Sequence, residues 1–232
     1  MKFLSSLAQH GPSLREIYES FISESYSSIT LADVLSAIAV DAKSVITRRH
    51  PLGFTHAELT PCVGAPVGER FRFHFWLGNA GTRDDLGDLH EHTWDLTSLV
   101  LAGEVDDTTL RASLTPMGTY QGSRIIYGDR NSSELVGRFN LETIESRRVP
   151  AGTVYAIPSR TVHLNTVTMV PTVTLVRSIE DNRGEGPLVF STPSATTVSA
   201  TPARLRVDTL DALDALTVAL DGGSTPVATS HR

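Results

Sequence analysis

The sequence is poor in cysteine. Its one cysteine, Cys62, excludes an internal disulfide and any metal site built from clustered thiolates, and it reads as an inert, buried small hydrophobe. Basic runs are missing as well. Against 20 Lys and Arg stand 26 Asp and Glu, giving a net charge of −6 and a pI near 5.7, a balance that excludes nucleic acid and anionic membrane surfaces as expected partners. No apolar run approaches the roughly 20 residues of a membrane span. The opening MKFLSSLAQHGPSLREIYES has only a very short apolar patch before charge begins, so it reads poorly as an export signal, and a cytoplasmic location is expected. What is present is enough for a packed core: 40% of the 232 residues are hydrophobic and 20% charged, and the length suits one sizeable domain.

The texture divides the chain into three stretches. Residues 1–53 look helical. Pro12 and Ser13 are start signals for a helix that places Leu14, Ile17, Tyr18 and Phe21 on one stripe. A second helical pattern runs from Thr30, a candidate N-cap, through Leu31, Val34, Leu35, Ile38, Val45 and Ile46, with Arg48 and Arg49 where positive charge suits a helix C-terminus. Over 54–192 short alternating runs are broken by Gly, Pro, Asn and Asp, which predicts an all-β sandwich or barrel. RFRFHFWLG alternates strictly, with Phe71, Phe73 and Phe75 as core against Arg70, Arg72, His74 and Trp76. Residues 79–88 read as a polar loop. The extension over 193–232 holds an amphipathic helix at about 206–220 and a tail expected to be mobile. The N-terminal helices are expected on the outside of the barrel.

The chemistry concentrates in DLHEHTWDLTSLVLAGEV, residues 88–105. On a strand His90 and His92 point to the same face, roughly 7 Å apart along the chain, so both imidazoles can close on one ion, while Glu91 points away. Alone, such a pair is a weak signal. Gly103, eleven residues after His92, closes the strand; Pro150 and Gly152 supply a turn; His163 follows on a later strand, with Asn165 two residues on. His90, His92 and His163 are therefore the expected metal ligands. Asp95 falls off the histidine face and reads as structural; His50 and His56 read as loop residues, and His74 as a surface residue or one behind the ligands.

These residues resemble the cupin superfamily. Its first motif pairs two histidines one residue apart and ends on a glycine, which Gly103 matches in register. The glutamate slot falls on Leu96 and the opening glycine slot on Asp84. Pro150 and Gly152 fit the second motif, but its histidine is late, at His163. Three histidines without a glutamate resemble the thiol-dioxygenase branch that includes cysteine dioxygenase, over roughly residues 70–180. The resemblance implies a mainly β cupin barrel. It departs from cysteine dioxygenase at Thr97, where that enzyme carries a crosslinked cysteine, and at Val176, Arg177 and Ser178, where a histidine and the crosslinked tyrosine are wanted.

Three neutral histidines hold a divalent ion without cancelling its charge. Fe(II) suits that set, with Zn, Mn and Ni as alternatives. The resulting expectation is a non-haem Fe(II) oxygenase that oxidises a small polar metabolite, bearing a carboxylate, amine or thiol, with dioxygen. Arg72 and Arg177 are candidate forks for a substrate carboxylate, Trp94 lines the cavity, and Tyr155, with Tyr120 and Tyr127 behind it, is a candidate proton donor. A non-redox metal isomerase or lyase, or a metal-free small-molecule binder, are the other readings. Free sheet edges leave a homodimer open.

Overall fold

The computed structural model describes residues 11–50, 53–78, 89–128, 132–181, 184–192 and 204–227. The polar loop expected at 79–88 lies outside them, as do 193–203 and the last five residues of the tail. The fold is mainly β with antiparallel sheets.

Helix α1 (Leu14–Ile22) starts where the sequence places it. Ser13 and Glu16 form a reciprocal cap, the Ser13 amide donating to Glu16 at 2.8 Å and the Glu16 amide to the Ser13 hydroxyl at 3.3 Å. Leu14, Ile17, Tyr18 and Phe21 form its buried stripe. Helix α2 (Leu31–Val40) is capped by Thr30, which accepts from the Asp33 amide at 3.1 Å. This helix does not continue to Arg49. It stops at Val40, and Ile46–Arg49 is a strand. Local helical spacing loses there to pairing on both sides and to burial of Thr47, whose hydroxyl meets that of Thr209 at 3.0 Å.

The strands are β1 (Ile46–Arg49), β2 (Thr55–Glu58), β3 (Glu69–Trp76), β4 (Leu89–His90), β5 (Trp94–Ala102), β6 (Glu104–Leu114), β7 (Tyr120–Ile126) and β8 (Ser132–Pro150). They continue as β9 (Val154–Ile157), β10 (Val162–Thr166), β11 (Met169–Val170), β12 (Thr172–Glu180), β13 (Leu188–Ser191), β14 (Arg206–Val207) and β15 (Thr225–Pro226). A one-turn helix α3 (Thr60–Val63) precedes β3, and α4 (Thr209–Asp221) follows β14. The last helix starts at Thr209 rather than 206 because Arg206 and Val207 pair with β1, and Thr225–Pro226 of the expected tail pairs with β11. Among the described residues no helix is long and apolar enough to cross a membrane.

Two sheets result. The first runs β14-β1-β2-β3-β12-β5-β9; the second closes on itself as β10-β4-β13-β7-β8-β6. Strand alternation gives the first sheet two different faces. Phe71, Phe73, Phe75, Leu99, Val173 and Leu175 pack under α1, α2 and α4 as the main core, so the phenylalanine stripe is core, but on the helix side. The other face carries His56, Arg72, His74, Trp76, Ser98 and Tyr155 and looks toward the second sheet. A bond from Asn165 of β10 to the Tyr155 hydroxyl, 3.1 Å, bridges the two sheets. In the closed sheet all six strands contribute to one apolar cluster around Phe139, Val162 and Phe190. His90 and His163 alternate with Leu89 and Val162 of that cluster and turn to the opposite side, into the space between the sheets.

Candidate metal centre

His90 and His163 are direct cross-strand partners in β4 and β10. His92 completes the set, and the ligand atoms of the three all lie within 4.8 Å of one another. The ring centroids form a nearly equilateral triangle, 4.7 Å for His90–His92, 4.6 Å for His90–His163 and 4.7 Å for His92–His163. Imidazole nitrogens sharing one tetrahedral ion at about 2.1 Å stand about 3.4 Å apart, so small side-chain rotations bring this set onto a metal.

The protonation states suit a ligand. Burial, with 2% of its surface exposed, pushes the His163 imidazole down to about 4, against a modest opposing pull from the Thr161 carbonyl. His92 is held well below the ordinary range by desolvation first and then by charge on His90 and His163. Near neutral pH both rings are bases with a free lone pair, which metal binding requires. His163 Nδ1 lies 3.2 Å from the Thr161 carbonyl oxygen, so Nδ1 carries the proton and Nε2 is left to coordinate. Buried polar atoms without a protein partner lie on the same inter-sheet surfaces, Thr174 Oγ1 in β12 and Asn165 Oδ1 in β10. A polar guest between the sheets answers that shortfall.

His92 is not on a strand with His90. Strand β4 ends at His90, and Glu91–Thr93 carries the chain from the closed sheet into β5 of the other. That passage is pinned at every residue. The Glu91 amide donates to the Leu188 carbonyl at 3.0 Å, the Arg160 amide to the His92 carbonyl at 2.8 Å, and the Asp181 amide to the Thr93 carbonyl at 2.9 Å. The buried Glu91 carboxylate takes the Arg160 guanidinium at 3.2 Å and the Leu188 amide at 3.2 Å. Arg160 also reaches Asp181 at 3.3 Å, the Gly186 carbonyl at 3.2 Å and the Glu185 carbonyl at 2.6 Å. Arg160 adopts φ 63°, an uncommon value for a side-chain-bearing residue. Sequence reasoning passed over Arg160; a lone arginine in a turn gives no signal that separates it from a solvated one.

Other expected site residues divide by face. Trp94 stacks on His92 at 4.6 Å and 19°. Arg72 lies on the inter-sheet face of β3, paired with Glu58 at 2.9 Å, and its charge reaches His92. Tyr155 is buried between the sheets; desolvation pushes its phenol up to about 12, so it stays protonated. Arg177 is a correction. It shares the outer, helix-packed face with Val173 and Leu175 and grips Glu69 at 2.6 and 2.8 Å, and Tyr18 of α1 donates to the same carboxylate. It latches a helix to the sheet and does not meet the histidines. Tyr120 belongs to the apolar cluster of the closed sheet, and Tyr127 is largely exposed. Leu96, in the glutamate slot, packs against the cluster of Val100, Tyr155 and Ile157, and Thr97 turns to the other face. Asp95 accepts from the Ser159 amide at 2.8 Å, a structural task. His50 lies in the connection after β1, as expected, whereas His56 is a buried residue of β2 and His74 a half-buried residue of β3. All three gather between the sheets, and their charges and those of His90 and His92 act on one another.

No protein-family model and no curated protein sequence matches the chain. Solved structures with partial likeness of shape include DMSP lyases, with 16% identity and TM-score 0.34 over 58% of this chain and 51% of that one. An oxalate oxidase shares 19% identity, TM-score 0.35, over 59% of this chain and 56% of its own. A hydroquinone 1,2-dioxygenase solved with Cd2+ and 4-hydroxybenzonitrile shares 16% identity, TM-score 0.32, over 52% and 63%. The chain thus spans only about half the length of the DMSP lyase structure, 51%.

Proposed function

We propose that this chain is a metal-dependent enzyme of cupin type and that its ion is a non-haem Fe(II) held by His90, His92 and His163. The observation that supports it is the triangle of neutral imidazoles, every pair of ring centroids 4.6 to 4.7 Å apart, with Leu96 rather than a carboxylate in the remaining slot. A bound Fe(II) would supply the electrons and open positions for a reaction between dioxygen and a small carboxylate-, amine- or thiol-bearing molecule. The chain's own contribution is positioning and charge. Trp94 covers one face of His92 and fixes that ring. The apolar cluster around Val100 and Ile157 keeps water from one end of the cavity. Tyr155, protonated at neutral pH, presents an O–H to the inter-sheet space and holds Asn165. Arg72 offers positive charge within reach of the ligands.

Elemental analysis of anaerobically purified protein, followed by oxygen uptake across amino acids, thiols and hydroxy acids, tests this reading. Stoichiometric iron and substrate-dependent uptake are expected, and both disappear in His90→Ala and His163→Ala. Metal content untouched in those variants sinks the site. An all-imidazole set suits zinc equally, so turnover unchanged under strict anaerobiosis would instead establish a non-redox isomerase or lyase on the same residues.

A further inference from the structure

The wall facing the metal histidines carries side chains that, Arg72 apart, the proposed chemistry leaves unused. Strands β2 and β3 send Ala57, Phe73 and Phe75 to the helix side and His56, Glu58, Arg72, His74 and Trp76 into the space between the sheets. His56 and His74 are cross-strand partners with rings 6.1 Å apart. Phe54, just ahead of β2, gathers the rest. His50 stacks on it at 4.3 Å and 11°, His74 lies at 4.8 Å and Trp76 at 5.1 Å. Flat rings therefore converge on one spot. His50, Phe54, Arg72, His74 and Trp76 keep some contact with solvent although they face the other sheet, so a guest can reach them from outside.

The charge of this wall is one-sided. The cations acting on His50, His56 and His74 are Arg72, Arg204 and, at His56, Arg48; the one carboxylate among those influences is Glu58, already engaged with Arg72 Nε at 2.9 Å. A cationic guest would be repelled. A neutral hydrocarbon would cover the rings and give the Arg72 guanidinium, whose Nε alone is taken by Glu58, no acceptor for its remaining donors. A short saturated acid would satisfy the arginine and leave the rings bare.

We propose that this cradle binds a planar carboxylate, an aromatic or conjugated acid whose ring lies against Phe54 and Trp76 and whose carboxylate meets Arg72. A guanidinium fork matches a carboxylate edge to edge, and a flat acid keeps that edge in the plane of its ring, so both contacts are made without bending the ligand. The assignment rests on reading the cavity as the substrate site and names the class of molecule it admits; binding itself uses no metal.

Benzoate, benzamide and cyclohexanecarboxylate are the probes, titrated into the full chain after chelation of metal, by calorimetry and tryptophan emission. Benzoate is expected to bind saturably with Kd below about 1 mM, at least tenfold tighter than benzamide and several-fold tighter than cyclohexanecarboxylate. R72Q should weaken it at least tenfold, F54L several-fold, and R72K, which keeps charge without the fork, should fall between wild type and R72Q. Should R72Q fail to fold, F54L and the three-probe ranking carry the test. No saturation with benzoate, benzamide binding as well as benzoate, or R72Q binding unchanged overturns the proposal. In H163A, metal loss with benzoate binding retained is the expected pattern. Wild type that binds metal but no benzoate sinks the cradle alone; wild type that binds benzoate but no metal sinks the metal reading alone.

Discussion

Gly103 shows how one residue fixes the strand that follows the histidine pair. Its φ of 71° is left-handed, and a Cβ there would strike the Thr172 hydroxyl and come within 2.8 Å of the Pro171 carbonyl oxygen. That hydroxyl is committed, donating to the Met169 carbonyl at 2.7 Å and accepting from the Glu104 amide at 3.3 Å. Gly103→Ala is therefore expected to lose about 2 kcal/mol of stability or more, read by urea denaturation. The glycine was legible in the sequence because a positive φ leaves a glycine behind. The three histidines were legible only together: the His90–His92 pair is a weak signal alone, and it was Gly103, the Pro150–Gly152 turn and His163 on a later strand that made a set, which the fold brings within 4.8 Å. Arg177 was not legible, and the cause is physical. Both faces of its sheet are buried, one under helices and one under the second sheet, so an arginine in strict alternation is equally at home on either, and the phenylalanine stripe of β3 does not say which cavity its polar alternates enter.

Among elements, the decisive one is the short passage from β4 to β5. A strand would have set His90 and His92 by pleat alone. Here the chain leaves its sheet between them, and Arg160 with Glu91 does the work that a ladder would do. Arg160→Ala and Glu91→Gln are each expected to weaken metal binding by about 10- to 100-fold while far-ultraviolet circular dichroism stays native, measured by competition with a chromophoric chelator. Affinity unchanged in both would show that the passage holds itself. The same interplay of local and distant forces decided β1. The periodicity of 30–49 is helical throughout, yet Val45–Thr47 is β-branched and finds two partner strands, and tertiary pairing outweighs a propensity difference of a few tenths of a kcal/mol per residue. The caps of α1 and α2, set by Ser13 and Thr30, were read correctly because capping is local.

For the molecule as a whole, a polar interior makes stability depend on pH. His56, 3% exposed, is pushed down to about 4 by burial first and by the Arg204 and Arg72 charges next. In the unfolded chain it titrates near 6.5. Above that value both states are neutral and the residue contributes nothing to the slope. Below it the unfolded state takes up a proton that the folded state refuses, so stability falls as pH drops from about 6.5 toward 4, by up to about 3 kcal/mol from this residue. Chemical denaturation across that window should show the slope, and His56→Gln should reduce it by close to one proton; an unchanged slope would place the proton uptake elsewhere.

The passage through Glu91–Thr93 has one more consequence. His90 and His163 belong to one sheet, and His92 hangs on the thread that leads into the other. The geometry of the three-histidine set is therefore tied to the distance between two bodies of the protein, as the balance point of a lever is tied to its arms. With cobalt in the three-histidine site, the visible absorption band would act as a strain gauge. Filling the space between the sheets, or loosening Arg160, should shift the colour of the protein before either is detected in its melting temperature, whereas a truncated side chain on the helix side of Phe73 should lower the melting temperature and leave the colour alone.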